Sequence, residues 1–335
     1  MAATKVLVVD DSLTMRALIS GALERIPNVE VVGLADGADE ARAMTEQFRP
    51  DVITLDVEMP GMSGLEYLAE VMEKRPMPVI MFSTRTEAGA EASVEALRLG
   101  AIDCFPKPKV ATPAELDKII GKLGKRIKAA KSADVRAAVA AKAAPAAALE
   151  WNGRPLAIGA DAGNTKNLFE LFGTFPANCP PTLVVQHIGA GLAETMVAKL
   201  NDEIAPKVVL ATDGMAVEQG TIYLAPPGET HLVIDSWPNG KLRLLPRDPV
   251  AGERPSISVL FASVAKAAGA DAVALLMSEP SEDGAAGMNA LSAVGGYGIQ
   301  QAPEGTNGFT LARKMAQQPV ALDQLPATLV KLCSK

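Results

Sequence analysis

The chain has 335 residues, of which 48% are hydrophobic and 21% charged, with a formal net charge of −7 at pH 7. This length predicts about two domains, because a single hydrophobic core rarely grows past about 250–300 residues. The acidic balance disfavours polyanionic partners, so we expect no nucleic-acid binding.

From the sequence we expect no targeting segment and no membrane span. It starts with MAATKVLVVDD, an apolar strand that turns acidic at once, which is not the pattern of a signal peptide. No apolar run approaches the roughly twenty residues that a spanning helix needs. Three cysteines without CxxC spacing and two histidines give no zinc signature. We therefore expect a reduced, cytoplasmic protein without direct membrane insertion.

Short apolar runs alternate with helical patterns over residues 1–108. The predicted strands are KVLVVD, VEVVGLAD, DVITLD and VIMFS, and the predicted helices span 12–25, 38–48, 64–74 and 87–99. Apolar strands that alternate with amphipathic helices predict a parallel sheet with helices on both faces. A capping box at Thr112–Glu115, followed by an apolar stripe, predicts one more helix that closes a five-fold βα domain.

Alanine dominates residues 132–149, where no strand or turn signal appears. We interpret this stretch as a linker of mixed helical and extended character. A second α/β pattern begins near Pro155. The predicted organisation is a first domain at 1–128, a linker at 129–152 and a second domain at 153–335.

Charged side chains stand at the predicted strand ends of the first domain. Asp10 and Asp11 end the first strand, Asp56 ends the third and Lys107 follows the fifth. Chemistry in open α/β sheets sits at these carboxyl ends. Three converging carboxylates favour a divalent cation such as Mg²⁺, and a carboxylate held there can accept a phosphoryl group. Helix capping would explain a single acid at a strand end, but it does not explain the three acids and the lysine together.

Three sequence blocks resemble the receiver domain of bacterial response regulators. The blocks are Val9-Asp10-Asp11-Ser12, Leu55-Asp56-Val57-Glu58-Met59-Pro60-Gly61 and Phe105-Pro106-Lys107-Pro108, and the resemblance covers residues 4–128. It implies a flavodoxin-like, five-stranded parallel domain. It also implies that a histidine kinase donates the phosphoryl group.

The same resemblance implies roles for individual residues. Asp56 would be the phosphoacceptor, Asp11 a direct ligand of Mg²⁺ and Asp10 an indirect one, with the backbone carbonyl of Glu58 completing the metal shell. Ser83 and Lys107 would hold the phosphoryl oxygens. Cys104 departs from the pattern, since the family usually has an aromatic switch residue there, so the readout of phosphorylation is expected to differ.

The second half resembles the catalytic domain of the chemotaxis protein-glutamate methylesterases, which follows a receiver domain in that family. The run from Met59 to Gly64 and Ala101-Ile102-Asp103 already point to this branch of response regulators. Matching segments in the second half include Ala157-Ile158-Gly159-Ala160, Val184-Val185-Gln186-His187 and Asp283-Gly284-Ala285. The resemblance implies a doubly wound α/β fold and chemoreceptor helices as partners.

The methylesterase machinery is altered in this sequence. A serine esterase needs a hydroxyl nucleophile, a base, an acid that orients the base, and oxyanion donors. The resemblance matches His187 to the base and Asp283 to the acid, but Asp161 stands where the family has serine. Pro280 stands where the family donates a backbone N–H, which proline lacks. We expect Asp161 to pair with His187 and to raise its pKa.

Three hypotheses for the second domain follow. In the leading one the site is degenerate, His187 and Asp283 are remnants with ordinary structural roles, and the domain binds without hydrolysing. The alternative is an active protein-glutamate methylesterase and glutamine deamidase with altered machinery. In the third, Asp161, His187, Asp213 or Asp283 recognises a cationic ligand. No cofactor is expected in this domain.

Overall fold

The computed structural model describes residues 3–84, 86–107, 123–124, 127, 148–189, 191–277, 282–301, 308–313 and 316–335. The chain divides into two compact units, residues 1–137 and 138–335. The capping box predicted at Thr112–Glu115, most of the predicted linker and Pro280 lie outside the described residues.

The N-terminal unit contains a five-stranded parallel sheet, as predicted. The strand order is β2-β1-β3-β4-β5. The elements are β1 Thr4–Val9, α1 Leu13–Leu23, β2 Val29–Ala35, α2 Ala38–Phe48, β3 Val52–Asp56, α3 Gly64–Lys74, β4 Val79–Ser83, α4 Glu87–Leu99 and β5 Asp103–Pro106. The first helix is shorter than predicted at its start, because Ser12 is its N-cap and accepts the N–H of Met15 at 3.4 Å.

The core of this unit lies on the central strands. All residues of β3 and β4 are buried, whereas most of the edge strand β2 is only partly buried. This explains why β3 and β4 are continuous apolar runs in the sequence. Leu123 and Ile127, from the apolar stripe predicted after the capping box, pack into the same core.

The C-terminal unit contains an eight-stranded mixed sheet of order β15-β14-β13-β12-β6-β7-β9-β8. Its strands are β6 Leu156–Asp161, β7 Thr182–His187, β8 Lys207–Leu210, β9 Thr221–Leu224, β12 Val273–Met277, β13 Tyr297–Gln301, β14 Gly308–Arg313 and β15 Ala316–Ala321. A separate hairpin pairs β10 His231–Ile234 with β11 Leu242–Leu245. The helices are α5 Thr165–Gly173, α6 Ala193–Glu203, α7 Ile257–Ala268, α8 Glu282–Ala293 and α9 Leu325–Cys333.

The strand order of the second sheet changes direction at the central strand β6, because β7 lies on one side of it and β12 on the other. Strand β6 pairs in parallel with both of these neighbours. In a doubly wound sheet, side chains that follow the carboxyl ends of these strands face a common crevice. Helix α7 packs closely on β6, since a Cβ at Gly159 would lie 2.2 Å from Ile257 Cγ2. Among the described helices none is both long and apolar enough to cross a bilayer.

Candidate functional sites

Three carboxylates meet at the carboxyl edge of the first sheet. Oxygen atoms of Asp10, Asp11 and Asp56 all lie within 4.8 Å of one another. Asp10 and Asp56 are buried and Asp11 is exposed. Asp10 Oδ2 is buried, and the contact found for it is an ion pair with Lys107 at 3.3 Å and not a hydrogen bond. A buried, acceptor-only oxygen beside two further carboxylates suits a hard divalent cation, so these residues fit Mg²⁺.

Lys107 lies against the same carboxylates. Its Nζ is 2.6 Å from Asp56 Oδ2 and 3.3 Å from Asp10 Oδ2. Burial lowers the pKa of Lys107, but Asp56 and Asp10 raise it, and the net pKa is above the usual value. The ammonium therefore stays charged at neutral pH. The backbone N–H of Lys107 donates to the carbonyl of Ser83 at 2.7 Å, which fixes this residue to the end of β4.

The carboxyl group of Asp56 has an unusually high proton affinity. Burial raises its pKa most, the hydrogen bond from Lys107 opposes this, the charge of Asp10 adds to it, and the resulting pKa is about 6. The backbone N–H of Glu58 donates to Asp56 Oδ1 at 3.2 Å. A metal ion beside this carboxylate would favour its charged form, as a cation does for any neighbouring acid.

Ser83 stands at the end of β4, where the sequence places it, but its hydroxyl has a partner that the sequence did not reveal. Ser83 Oγ lies 2.7 Å from Ser93 Oγ on α4. Gly64 is a second residue that sequence reasoning missed. A Cβ at position 64 would lie 1.8 Å from the carbonyl oxygen of Asp56, so the first turn of α3 approaches the end of β3 as only glycine allows.

In the C-terminal unit, Asp161 is the last residue of β6 and directly precedes the turn to α5. A single 3₁₀ turn at Ala162–Asn164 joins the strand to the helix. Asp161 Oδ1 accepts a hydrogen bond from Asn164 Nδ2 at 2.8 Å, and Asn164 Oδ1 accepts one from Asn167 Nδ2 at 3.0 Å. The carboxylate is thereby tied to the start of the helix that follows it.

His187 ends β7 and faces Asp161 across the β6–β7 ladder. Its Nε2 lies 3.1 Å from the carbonyl oxygen of Pro255 and 3.4 Å from Asp283 Oδ2. An ionised carboxylate and a carbonyl only accept hydrogen bonds, so this nitrogen carries the proton. Burial lowers the pKa of His187, whereas Asp283 and Glu253 raise it, and the net pKa is above the usual value. Asp161 was expected to raise this pKa, but the acids that raise it most are Asp283, which forms an ion pair with the ring, and Glu253.

Asp283 is a buried carboxylate with several donors. Its oxygens accept the Oγ–H of Ser256 at 2.7 Å and the backbone N–H groups of Ile257 and Ser258 at 2.8 and 2.9 Å. Burial raises its pKa, but His187 and these donors lower it, and the resulting pKa is about 2. The carboxylate thereby caps the N-terminus of α7, 26 positions earlier in the chain.

The hydroxyl groups described around His187 have other roles. Thr165 Oγ1 donates to the carbonyl of Ala162 at 2.7 Å and accepts from Gln186 Nε2 at 2.6 Å. Ser256 Oγ donates to Asp283 and accepts the N–H of Val259 at 3.2 Å, which makes it the N-cap of α7. Neither Ser256 nor Pro255 was found by sequence reasoning, because their role depends on contacts across the sheet.

Asp213, named in the third hypothesis, and His231 both have identified contacts. Asp213 pairs with Arg243 at 3.3 Å and accepts the N–H of Leu244 at 3.0 Å, so it binds the β10–β11 hairpin. His231 joins two loop segments through its two ring nitrogens. Its Nδ1 accepts the N–H of Ser256 at 3.0 Å, and its Nε2 lies 3.0 Å from the carbonyl oxygen of Asp248.

The first unit thus has the fold and acidic cluster of a response-regulator receiver, and the second is an α/β domain with a histidine–aspartate pair at its switch point. Comparison with protein families agrees. The response regulator receiver domain matches residues 6–120, and the CheB methylesterase matches residues 156–331. The chain belongs to the CheB methylesterase family and carries a receiver domain ahead of the methylesterase domain.

Relatives share both halves of the chain. A protein-glutamate methylesterase/protein-glutamine glutaminase 1 of Caulobacter vibrioides is 43% identical over 305 residues, which cover 90% of this chain and 88% of that protein. The protein-glutamate methylesterase/protein-glutamine glutaminase of Agrobacterium fabrum is 43% identical over 333 residues, covering 97% and 94%. The solved catalytic domain of Thermotoga maritima CheB is 21% identical, with a TM-score of 0.47, covering 54% of this chain and 99% of that one.

Proposed function

We propose that this protein is a phosphorylation-controlled chemosensory response regulator whose methylesterase domain binds a partner and does not hydrolyse esters. The observation that carries the proposal is a carboxylate, Asp161, at the strand-to-helix turn opposite His187. Serine is expected there from the resemblance to the family. The protein acts in the cytoplasm, where a histidine kinase supplies the phosphoryl group.

In the receiver, Asp56 attacks the phosphorus of the kinase phosphohistidine. A P–O bond forms on the Asp56 carboxylate, and the P–N bond to the kinase imidazole breaks. Asp11 would hold Mg²⁺ directly, Asp10 would hold it indirectly, and the Glu58 carbonyl would complete the protein's share of the metal shell. When bound, the metal neutralises charge on the transferred phosphoryl group. The distances within the acidic cluster and the burial of Asp10 and Asp56 support this arrangement.

Lys107 and Ser83 hold the phosphoryl oxygens after transfer. The Lys107 ammonium already lies 2.6 Å from an Asp56 oxygen, so a phosphoryl group on that oxygen gains a charged donor at once. The Ser83 hydroxyl provides a second donor at the end of the neighbouring strand. Added negative charge at Asp56 then draws these two groups together, which is the structural signal of the phosphorylated state.

Hydrolysis in the second domain lacks a suitable nucleophile. A carboxylate is a weaker nucleophile than an alkoxide formed by a base, and it has no proton for His187 to remove. The hydroxyl of Thr165 is buried and committed to the carbonyl of Ala162. The Nε2 of His187 carries a proton that it directs at Pro255 and Asp283, so only Nδ1 is left to act as a base, and Asp161 gives it no hydroxyl to activate. The crevice can still bind a partner without cleaving it. The proposed partner is a helical segment of a chemoreceptor.

One observation favours a second candidate, an active protein-glutamate methylesterase with glutamine deamidase activity. The His187–Asp283 pair has the composition of a catalytic dyad, and relatives at 43% identity bear that name. In this candidate a nucleophile other than serine at position 161 would act with His187.

Methanol release from methylated chemoreceptor separates the two candidates. The full chain is treated with acetyl phosphate and Mg²⁺, and release is compared with that of His187→Ala. We expect no release above background in either protein. Release by the native chain that disappears in His187→Ala would establish the active esterase. In the same experiment, mass spectrometry is expected to locate the phosphoryl group on Asp56 and to find none in Asp56→Asn.

A further inference from the structure

We propose that Ser93 on α4 is a positioning residue for the phosphorylation switch. Its hydroxyl holds the Ser83 hydroxyl in the unphosphorylated receiver and must release it when Asp56 is phosphorylated. This inference rests on the proposed role of Asp56 as phosphoacceptor. It goes beyond the roles proposed for Ser83 and Lys107, because it names a further residue and the hydrogen bond that has to break when Asp56 is phosphorylated.

The geometry is a chain of three polar groups between β4 and α4. Ser83 Oγ lies 2.7 Å from Ser93 Oγ, and Ser93 Oγ donates to the carbonyl oxygen of Gly89, one turn back on the helix, at 2.6 Å. Both serines are buried, with 5% and 1% of their surfaces exposed. Water therefore competes little for either hydroxyl.

The positions of the protons follow from this chain. A serine hydroxyl has one proton to donate and two lone pairs that accept. The Gly89 carbonyl only accepts, so the Ser93 proton is directed at Gly89. The hydrogen bond between the serines is then donated by Ser83 to Ser93. In the unphosphorylated state the single Ser83 proton is committed to α4.

A phosphoryl group on Asp56 competes for the same proton. At neutral pH its oxygens are strong acceptors that carry nearly two negative charges. Ser83 can satisfy them only by breaking its bond to Ser93, because it has no second proton. Hydrogen bonds to charged acceptors are stronger than those between neutral hydroxyls, so the exchange favours the phosphoryl group. Because the bond between Ser83 and Ser93 must break, the net free energy that Ser83 contributes to holding the phosphoryl group is smaller.

Release of Ser93 affects the surrounding segments because Ser93 has contacts on both sides. The Sγ–H of Cys104 on β5 donates to the Ser93 carbonyl at 3.3 Å. The N-cap of α4 is Thr86, which accepts the N–H of Gly89 at 3.0 Å. Ser93 thus joins the first turn of α4 to β5. The residue at the family's aromatic switch position, Cys104, is connected to the switch through Ser93.

Beryllofluoride, a phosphoryl mimic, provides the test. The full-length chain with saturating Mg²⁺ is titrated by calorimetry, and native protein is compared with Ser93→Ala. Loss of the competing acceptor is expected to tighten binding by about two- to tenfold, the range of one net hydrogen bond. Ser93→Thr keeps a hydroxyl and is expected to bind like the native chain. Ser93→Cys, a weak acceptor of similar size, is expected to tighten binding and serves as a second variant if Ser93→Ala does not fold.

A double-mutant cycle distinguishes coupling from a general structural effect. Ser83→Ala is expected to weaken binding, and adding Ser93→Ala to it is expected to change nothing further, because Ser93 then has no switch hydroxyl to hold. Equal affinities of the native chain and both Ser93→Ala and Ser93→Cys would overturn the inference. So would tightening by Ser93→Ala that persists without Ser83. Absence of binding to the native chain would instead overturn the phosphoacceptor role of Asp56, and this inference with it.

Discussion

Asp283 Oδ2 lies 3.4 Å from His187 Nε2, and the same oxygen accepts the backbone N–H of Ile257 at 2.8 Å. One carboxylate therefore orients the imidazole and caps helix α7. The cap alone gives a structural reason for an aspartate at this position. The presence of the His187–Asp283 pair is consequently compatible with a domain that no longer hydrolyses esters.

The first prediction concerns the stability that Asp283 provides. Asp283→Ala removes the acceptor of buried donors from Ser256, Ile257 and Ser258, and we expect it to lower the free energy of unfolding of the C-terminal unit by about 2–4 kcal/mol. Urea denaturation of the full chain measures this. Asp213→Ala, at an exposed ion pair, is the control and should change stability by less than about 0.5 kcal/mol. Equal effects of the two variants would contradict the capping role.

The stabilising effect of Asp283 is also expected to depend on pH. Its pKa is about 2 in the folded chain, against 3.8 for a free aspartate. A carboxyl with a lowered folded pKa stabilises above its unfolded pKa and loses that contribution as pH falls through the folded value. The stability difference between the native chain and Asp283→Asn should therefore shrink between about pH 4 and pH 2. A difference that stays constant over this range would show that the charge is not responsible.

The second prediction concerns the protonation of His187. Its pKa is raised above 6.5 by Asp283 and Glu253 against the effect of burial. In NMR titrations of the full chain, which contains only two histidines, we expect the His187 midpoint to lie above 6.5 and to fall in Asp283→Asn. His187 then stabilises the fold fully below pH 6.5, and this contribution is lost as pH rises through its folded pKa. A midpoint unaffected by Asp283→Asn would contradict the pairing.

The third prediction concerns the stability of the receiver when no metal is bound at the acidic cluster. The pKa of Asp56 rises from 3.8 to about 6 on folding, so the receiver loses stability as pH rises between these values, by up to about 3 kcal/mol. We expect Asp56→Asn to stabilise the metal-free chain at pH 7, measured by thermal denaturation. Asp36→Asn, at an exposed acid of the same unit, is the control. Added Mg²⁺ should stabilise the native chain more than Asp56→Asn; equal stabilisation would argue against metal binding at this cluster.

Much of the fold was predictable because its signals are local. Helix α3 was predicted at 64–74 and is observed at Gly64–Lys74, where Ser63 and Glu66 form a capping box. The buried strand β3 was evident from its unbroken apolar run. The meeting of Asp10, Asp56 and Lys107 followed from the rule that carboxyl ends of parallel strands share one edge.

The contacts that sequence reasoning missed depend on how elements pack. The Ser83–Ser93 bond requires the rotation of α4 about its axis, which no local pattern specifies. The capping of α7 by Asp283 joins residues 26 positions apart through the sheet. Asp161 shows the intermediate case. The resemblance to the family singled out its position, but not its hydrogen bond with Asn164.

The fourth prediction concerns the nucleophile position. In Asp161→Ser a hydroxyl would face His187 across the β6–β7 ladder, and general-base assistance typically contributes about 10²–10⁴-fold. We expect a fluorophosphonate probe to leave the native chain unmodified and to label Ser at position 161 in the variant, detected by mass spectrometry. Labelling should fall at least about a hundredfold when His187→Ala is added. Asp161→Asn, which has no hydroxyl, is the matched control. A labelled native chain would show a working nucleophile and exclude the inactive domain, whereas a folded but unlabelled Asp161→Ser would show that position 161 is not the nucleophile position.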